Sequence, residues 1–86
     1  MSRFLTIHRA TVPLGDRSKY LEKVRLRRAH YTAAGCNFWA FEEAGLPGAF
    51  VEFTEAADEK TLTTAHATSP TRAGDVTRVY REVELG

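Results

Sequence analysis

Three histidines, His8, His30 and His66, are the side chains whose ordinary proton affinity lies nearest neutral pH, so they are the first candidates for proton transfer. Their spacing, with a single cysteine at Cys36, offers no short ligand pattern of the kind that holds a metal, and no metal site is expected. The chain has neither a glycine loop that would cradle phosphate nor a nucleophile elbow. Asn37, Glu52 and Arg78 occupy segments that also carry Trp39, Phe41, Phe50 and Tyr80. Polar groups of these types can take up a proton and bind an oxygen on which charge develops, provided water is kept away. His66 also has a simpler role open to it. It stands in Thr64-Ala65-His66-Ala67-Thr68-Ser69-Pro70, where an imidazole in a last helical turn can bond free carbonyls and Pro70 stops the helix from continuing.

Whether these residues meet depends on the elements that carry them. Residues 3–12 mix β-branched and aromatic side chains with polar ones over a strand's length and end at Pro13-Leu14-Gly15, which predicts a first strand. Asp16 or Ser18 can cap a helix that runs to Ala34 without glycine or proline, and Gly35 supplies its stop. Tyr20, Leu21, Val24, Ala29 and Tyr31 fall along its inward stripe. Lys23, Arg25, Arg27, Arg28 and His30 read as a solvated basic face, with His30 complementing the helix dipole. Residues 36–43 and 49–54 read as strands joined by a turn-rich connection into an antiparallel hairpin. Residues 55–67 return to helix and 76–85 form the last strand. The order βαββαβ predicts an α+β, ferredoxin-like domain: an antiparallel sheet with both helices on one face.

A chain of 86 residues has room for one modest core, so 1–86 is read as a single domain. With 43% hydrophobic and 27% charged residues and a net charge of +1, the composition excludes a disordered segment and a strongly basic nucleic-acid binder. The N-terminal MSRFLTIHR alternates apolar and polar residues without a basic-then-apolar leader, and no run approaches the roughly 18 apolar residues of a membrane span. A cytoplasmic protein without a membrane partner is expected. One cysteine excludes an internal disulfide, so a fold this small is expected to gain stability by association, as a homodimer.

Strand periodicity then predicts the two faces of the sheet. Ala49, Val51 and Phe53, being wholly apolar, are assigned to the helices, as are Leu5 and Ile7, then Cys36, Phe38 and Ala40, and finally Val79 and Val83. The opposite, open face would collect Phe4, Trp39, Phe41, Phe50 and Tyr80 beside His8, Asn37, Glu52 and Arg78. So many aromatics in water would form an unusually large apolar patch, so this face is expected to meet a second copy, a nucleic acid or a small molecule held between two sheets.

Gly48-Ala49-Phe50-Val51-Glu52-Phe53 resembles the end of the central octapeptide of RNA-recognition motifs. That octapeptide begins with a basic residue, a glycine and a stacking ring, whereas Leu46, Pro47 and Gly48 stand here. The strand-one partner motif is also missing from FLTIHR, and nucleic acid is not the expected partner. A second resemblance spans nearly the whole chain. RFLTIHRATV, the long first helix, FVEFTEAADEKTLTTAHATSP and the final strand resemble the dimeric α/β-barrel superfamily, in particular the antibiotic-biosynthesis-monooxygenase-like domains. Glu52, Phe53, Ala65-His66 and Ser69-Pro70 carry the match. The resemblance implies a homodimer joined through the open sheet faces, with a pocket in each protomer between sheet and helices. It also implies a cofactor-independent monooxygenase-like protein that acts on or binds a small aromatic or polyketide-like molecule.

A haem-degrading relative would need a tryptophan on the second helix, and none follows Trp39, so no cofactor is expected. Within an oxygenase pocket, His8 would be the base, and Glu52 would orient it or act as a second base. Trp39, Phe41, Phe50 and Tyr80 would be aromatic walls, Asn37 and Arg78 would bind a carbonyl or phenolate oxygen, and His66 would be a further pocket residue. Each has a plainer alternative. His8 can be a hydrogen-bonded interface histidine, the aromatics a dimer core, Glu52 and Arg78 a cross-strand or cross-dimer pair, and Cys36 a small buried hydrophobe. A noncatalytic ligand-binding or interaction module is therefore the competing function.

Overall fold

The computed structural model of the protein describes residues 2–71 and 78–86. Strand β1 spans Phe4–Thr11 and ends before Pro13, which leads into a 3-10 turn at Leu14–Asp16. Helix α1 follows over Arg17–Ala33. Asp16 stands at its N-cap, yet its carboxylate makes no cap hydrogen bond. The 3-10 turn leaves Asp16 at φ −102°, ψ 2° rather than in the extended conformation from which a cap side chain folds back. The other end of α1 is closed as the sequence suggests. Gly35 adopts φ +86°, and the N–H groups of Gly35 and Cys36 donate to the carbonyls of Thr32 (3.2 Å) and Tyr31 (2.8 Å), the paired bonds of a Schellman stop.

Strands β2 (Asn37–Glu42) and β3 (Ala49–Ala56) form the expected hairpin. Gly48, at φ +95°, is required at its base. A Cβ there would lie 2.4 Å from the Val12 carbonyl oxygen, and the Val12 N–H donates to the Gly48 carbonyl at 2.8 Å. Helix α2 spans Glu59–Ala67 and is capped by Asp58, which accepts from the Thr61 N–H at 2.7 Å. It begins later than the sequence predicts because Glu55 and Ala56 stay in the sheet, paired with Leu5 and Phe4. Strand β4, Tyr80–Arg81, pairs with Leu5 and Phe4 from the other side. Of the longer strand expected over 76–85, Val76 and Thr77 lie outside the described residues, and Val83 and Leu85 are exposed.

All neighbouring strands are antiparallel, in the order β2-β3-β1-β4. Helix α1 lies over β2, and α2 over β3 and β1, on the same side of the sheet. This is the ferredoxin-like α+β fold. Its core holds Tyr31, Cys36, Ala56, Leu62 and Ala65, with Phe4, Ala34, Phe38 and Val79 packed around them.

Two strands face the opposite way from the sequence assignment. In β3 the buried residues under the helices are Phe50, Glu52, Thr54 and Ala56, and in β1 Thr6 is buried with Phe4 beside it against the core. Ala49, Val51 and Phe53, with Leu5 and Ile7, therefore line the open face. The assignment for β2 holds: Phe38 packs inward, and Trp39 and Phe41 point out, 44% and 55% exposed. The physical reason lies in α1, which supplies a charge partner for the polar set of β3. Arg27, expected in solvent, is 2% exposed and bonds Glu52, whereas Ala29, expected inside, is exposed.

Candidate functional site

The space between sheet and helices is polar at its centre. Arg27 reaches down from α1 and grips Glu52 with two parallel bonds, Nε–H to Oε1 at 2.8 Å and Nη2–H to Oε2 at 2.7 Å. Both side chains are buried, and the fork-on-carboxylate geometry is the strong form of this pair. The Tyr20 hydroxyl also donates to Oε2. Arg27 is further fixed by its Nη1–H bond to Thr71 Oγ1 at 2.9 Å. The Tyr20 ring packs on Phe50 with centroids 4.7 Å apart.

His8 stands directly opposite Glu52 in the β1–β3 register, so the two share the helix-facing side. Its ring is half-buried and makes no hydrogen bond among the described residues. Burial lowers its proton affinity, Glu52 opposes that effect, and Arg27 adds to it. The result is a neutral imidazole with free ring nitrogens.

One turn of pleat away, His66 joins three elements. Its Nε2 lies 2.6 Å from Thr6 Oγ1 on β1, and its Nδ1 lies 2.9 Å from the Tyr31 hydroxyl on α1. Each hydroxyl can donate or accept, so neutral imidazole is satisfied in either tautomer. Burial lowers the proton affinity of His66, and His30 adds to the effect. His30 itself crosses between the helices, donating from Nε2 to the Ala65 carbonyl at 2.8 Å. It therefore serves the C-terminal end of α2 rather than its own helix.

The aromatic walls do not assemble around His8. Phe50, Glu52, His8 and His66 are on the helix side, whereas Asn37, Trp39, Phe41 and Tyr80 are on the open face. There Phe41 meets Phe53 edge-on at 5.8 Å, Asn37 donates to Glu55 at 2.8 Å, and Tyr80 is 46% exposed. A shallow cleft of about 400 Å³ on this face is lined by Leu5, Trp39, Tyr80, Arg3, Glu55 and Glu82. Arg78 is exposed and does not pair with Glu52. Phe50, the ring that an RNA-recognition octapeptide would offer to a base, is covered by α1, which removes that use of it.

No protein-family model matches the sequence, and no curated protein matches it. Solved structures do. A protein from Nitrosomonas europaea, provisionally named an antibiotic biosynthesis monooxygenase, superposes with a TM-score of 0.70 at 20% identity, over 78% of this chain and 66% of its own. A similarly named protein from Bordetella bronchiseptica gives 0.63 at 11% identity over 99% of both chains. A conserved protein from Methanosarcina mazei Go1 gives 0.73 at 12% identity over 95% and 92%. The chain shares the fold of these proteins.

Within this fold, the sequence reading missed Arg27, Tyr20, Thr6 and Tyr31 as partners of the candidate residues. The signal for three of them was present: Tyr20, Val24, Arg27 and Tyr31 recur at intervals of four, three and four, one continuous helical stripe. The thiol of Cys36 is buried and its proton affinity is raised by that burial, which fits the small-hydrophobe reading. Among the described residues no cluster of His, Cys, Asp or Glu could hold a metal ion, and no helix is long and apolar enough to cross a membrane.

The lowered proton affinities of His8 and His66 make stability depend on pH. Below the ordinary histidine value of 6.5, the unfolded chain binds protons that the folded chain resists. Stability is therefore complete above that value and is lost as pH falls through the lower folded values. Glu42, Asp58 and Glu82, held low by Arg17, by the Thr61 N–H and by Arg3, add their own loss only below the ordinary carboxylate values of 4.5 and 3.8. Melting temperature should thus begin to decline in the histidine range, ahead of the carboxylates. A flat profile down to 4.5 would show that neither imidazole resists protonation.

Proposed function

We propose that the protein is a cofactor-independent monooxygenase-like protein, working as a homodimer on a small aromatic or polyketide-like molecule, with His8 as the acceptor of the substrate proton. The observation that carries this reading is His8 itself: a half-buried, neutral imidazole with both ring nitrogens unengaged among the described residues, set beside a fixed ion pair. Such a group takes a proton from a phenol or an activated ring carbon. The resulting anion is electron-rich enough to pass an electron to dioxygen. In net terms a ring CH₂ and O₂ become a ring carbonyl and water, so no outside reductant is consumed. The fold shared with proteins provisionally named antibiotic biosynthesis monooxygenases supports the choice of a monooxygenase reaction. The Tyr20 and Phe50 rings offer aromatic surface near the same centre.

Oxygen uptake with a panel of phenols, quinols and anthrone-like substrates, without added metal or cofactor, is the direct test. His8→Gln should lower turnover about 100-fold or more, the usual contribution of a positioned base. Equal rates in the two proteins would remove His8 from the chemistry.

A second reading, a noncatalytic binding module, is favoured by another observation. Arg27, Glu52 and Tyr20 satisfy one another, as do Thr6, Tyr31 and His66, so side chains fill much of the centre themselves. Ligand binding without oxygen uptake across the panel would select this reading.

A further inference from the structure

We infer that Arg27 and Tyr20 are positioning residues for His8: they hold both oxygens of Glu52, fix that carboxylate beside the imidazole, and leave His8 as the only proton acceptor of the pair. This rests on the reading of His8 as the base. Glu52 Oε1 receives Arg27 Nε–H, and its Oε2 receives both Arg27 Nη2–H and the Tyr20 hydroxyl. A carboxylate held by three donors from one helix cannot swing to take a substrate proton without breaking a buried bidentate pair. Glu52 is therefore excluded as the second base.

Nor does Glu52 form the dyad in which a carboxylate accepts a ring N–H and makes imidazole more basic. Both of its oxygens are bonded to α1, and among the described residues His8 keeps its nitrogens free although the two residues are register partners. What His8 meets is a cancelled charge pair. Glu52 from β3 draws a proton toward the ring, while Arg27 from α1 repels one. Two further titratable groups attach to the same network: Tyr20 on α1 is bonded to the same carboxylate, and His66 on α2 is bonded to Thr6, two residues along β1 from His8. The clamp is itself braced, since Arg27 is tied to Thr71 and lies over the Tyr20 ring at 5.7 Å, and that ring packs on Phe50.

The test is an NMR titration of the His8 ring in the full-length protein, its resonance assigned by its loss in His8→Gln. Arg27→Met leaves the carboxylate uncancelled and should move the His8 midpoint up by about one pH unit, whereas Glu52→Gln leaves the guanidinium uncancelled and should move it down. Arg27→Lys, which keeps charge but not the fork, should return the midpoint only part of the way. Tyr20→Phe removes one donor at the half-buried edge and should move it up by less. If Arg27→Met does not fold, Tyr20→Phe decides: an unchanged midpoint overturns the inference. Shifts of the same sign in Arg27→Met and Glu52→Gln overturn it as well. The titration needs no substrate, so opposite shifts together with a failed oxygen assay would remove the monooxygenase reading and leave the positioning intact.

Discussion

Replacing Glu52 with alanine is expected to lower the free energy of unfolding by about 3–5 kcal/mol. Nothing about the residue's size would suggest so large an effect. The cost arises because Arg27, 2% exposed, would be left charged in a site where water cannot replace the carboxylate, and Tyr20 would lose its acceptor as well. Small domains have only about 5–15 kcal/mol in total, so the variant should be partly unfolded or melt at much lower temperature. The companion Arg27→Met/Glu52→Leu, which removes both charges and keeps the volume apolar, should recover most of the loss. Urea unfolding of the three proteins measures this directly. A loss below about 1 kcal/mol in Glu52→Ala, the size of an exposed pair, would mean that the pair is solvated and not part of the core.

The second large effect belongs to the other side of the sheet. Phe53 sits at the centre of the open face, opposite Ile7 on β1 and Trp39 on β2, with Phe41 against its edge. Leu5, Ile7, Val51 and Tyr80 extend the same surface. If two copies bury this face, as proposed, Phe53→Glu places a charge in the middle of the contact. A dimer at micromolar concentration should become a monomer in sedimentation velocity while far-UV circular dichroism stays unchanged, because the helix-side core is untouched. A wild-type protein that sediments as a monomer of 86 residues would end the dimer proposal.

These two expectations mark where the sequence could be read and where it could not. Element order, the Gly35 stop, the Gly48 hairpin and the outward pointing of Trp39 and Phe41 all follow from local rules of turn chemistry and alternation. The faces of β1 and β3 do not. Ala49-Val51-Phe53 is the more apolar set, and the usual rule sends the apolar set toward the helices. That rule assumes a sheet with one wet side. Here the opposite set, Phe50-Glu52-Thr54-Ala56, is the one buried, because Arg27 arrives from a residue 25 positions away to neutralise Glu52. A pairing between distant polar residues leaves no mark in hydrophobic periodicity, although the Tyr20-Val24-Arg27-Tyr31 spacing shows in retrospect where the inward stripe ran. The candidate site was read in the same mixed way. His8 and Glu52 share one side of the sheet with Phe50, whereas Trp39, Phe41 and Tyr80, the other aromatic residues expected beside them, line the opposite face.

The open face also carries Glu55, which is 8% exposed although it lies on that side. Asn37 and Arg3 hold its carboxylate, and Arg3 in turn is bonded by Glu82. All four residues gather at one end of the sheet, where Leu5 pairs with Glu55 and Tyr80, while the aromatic cluster of Phe41 and Phe53 lies farther along. An unbroken apolar plate would let a covering surface slide or rotate with little penalty. A charged corner does not, since anything laid over it must either match its charges or stop short of it. The corner thus gives an otherwise featureless surface a head and a tail, and with them a direction in which a cover can be seated.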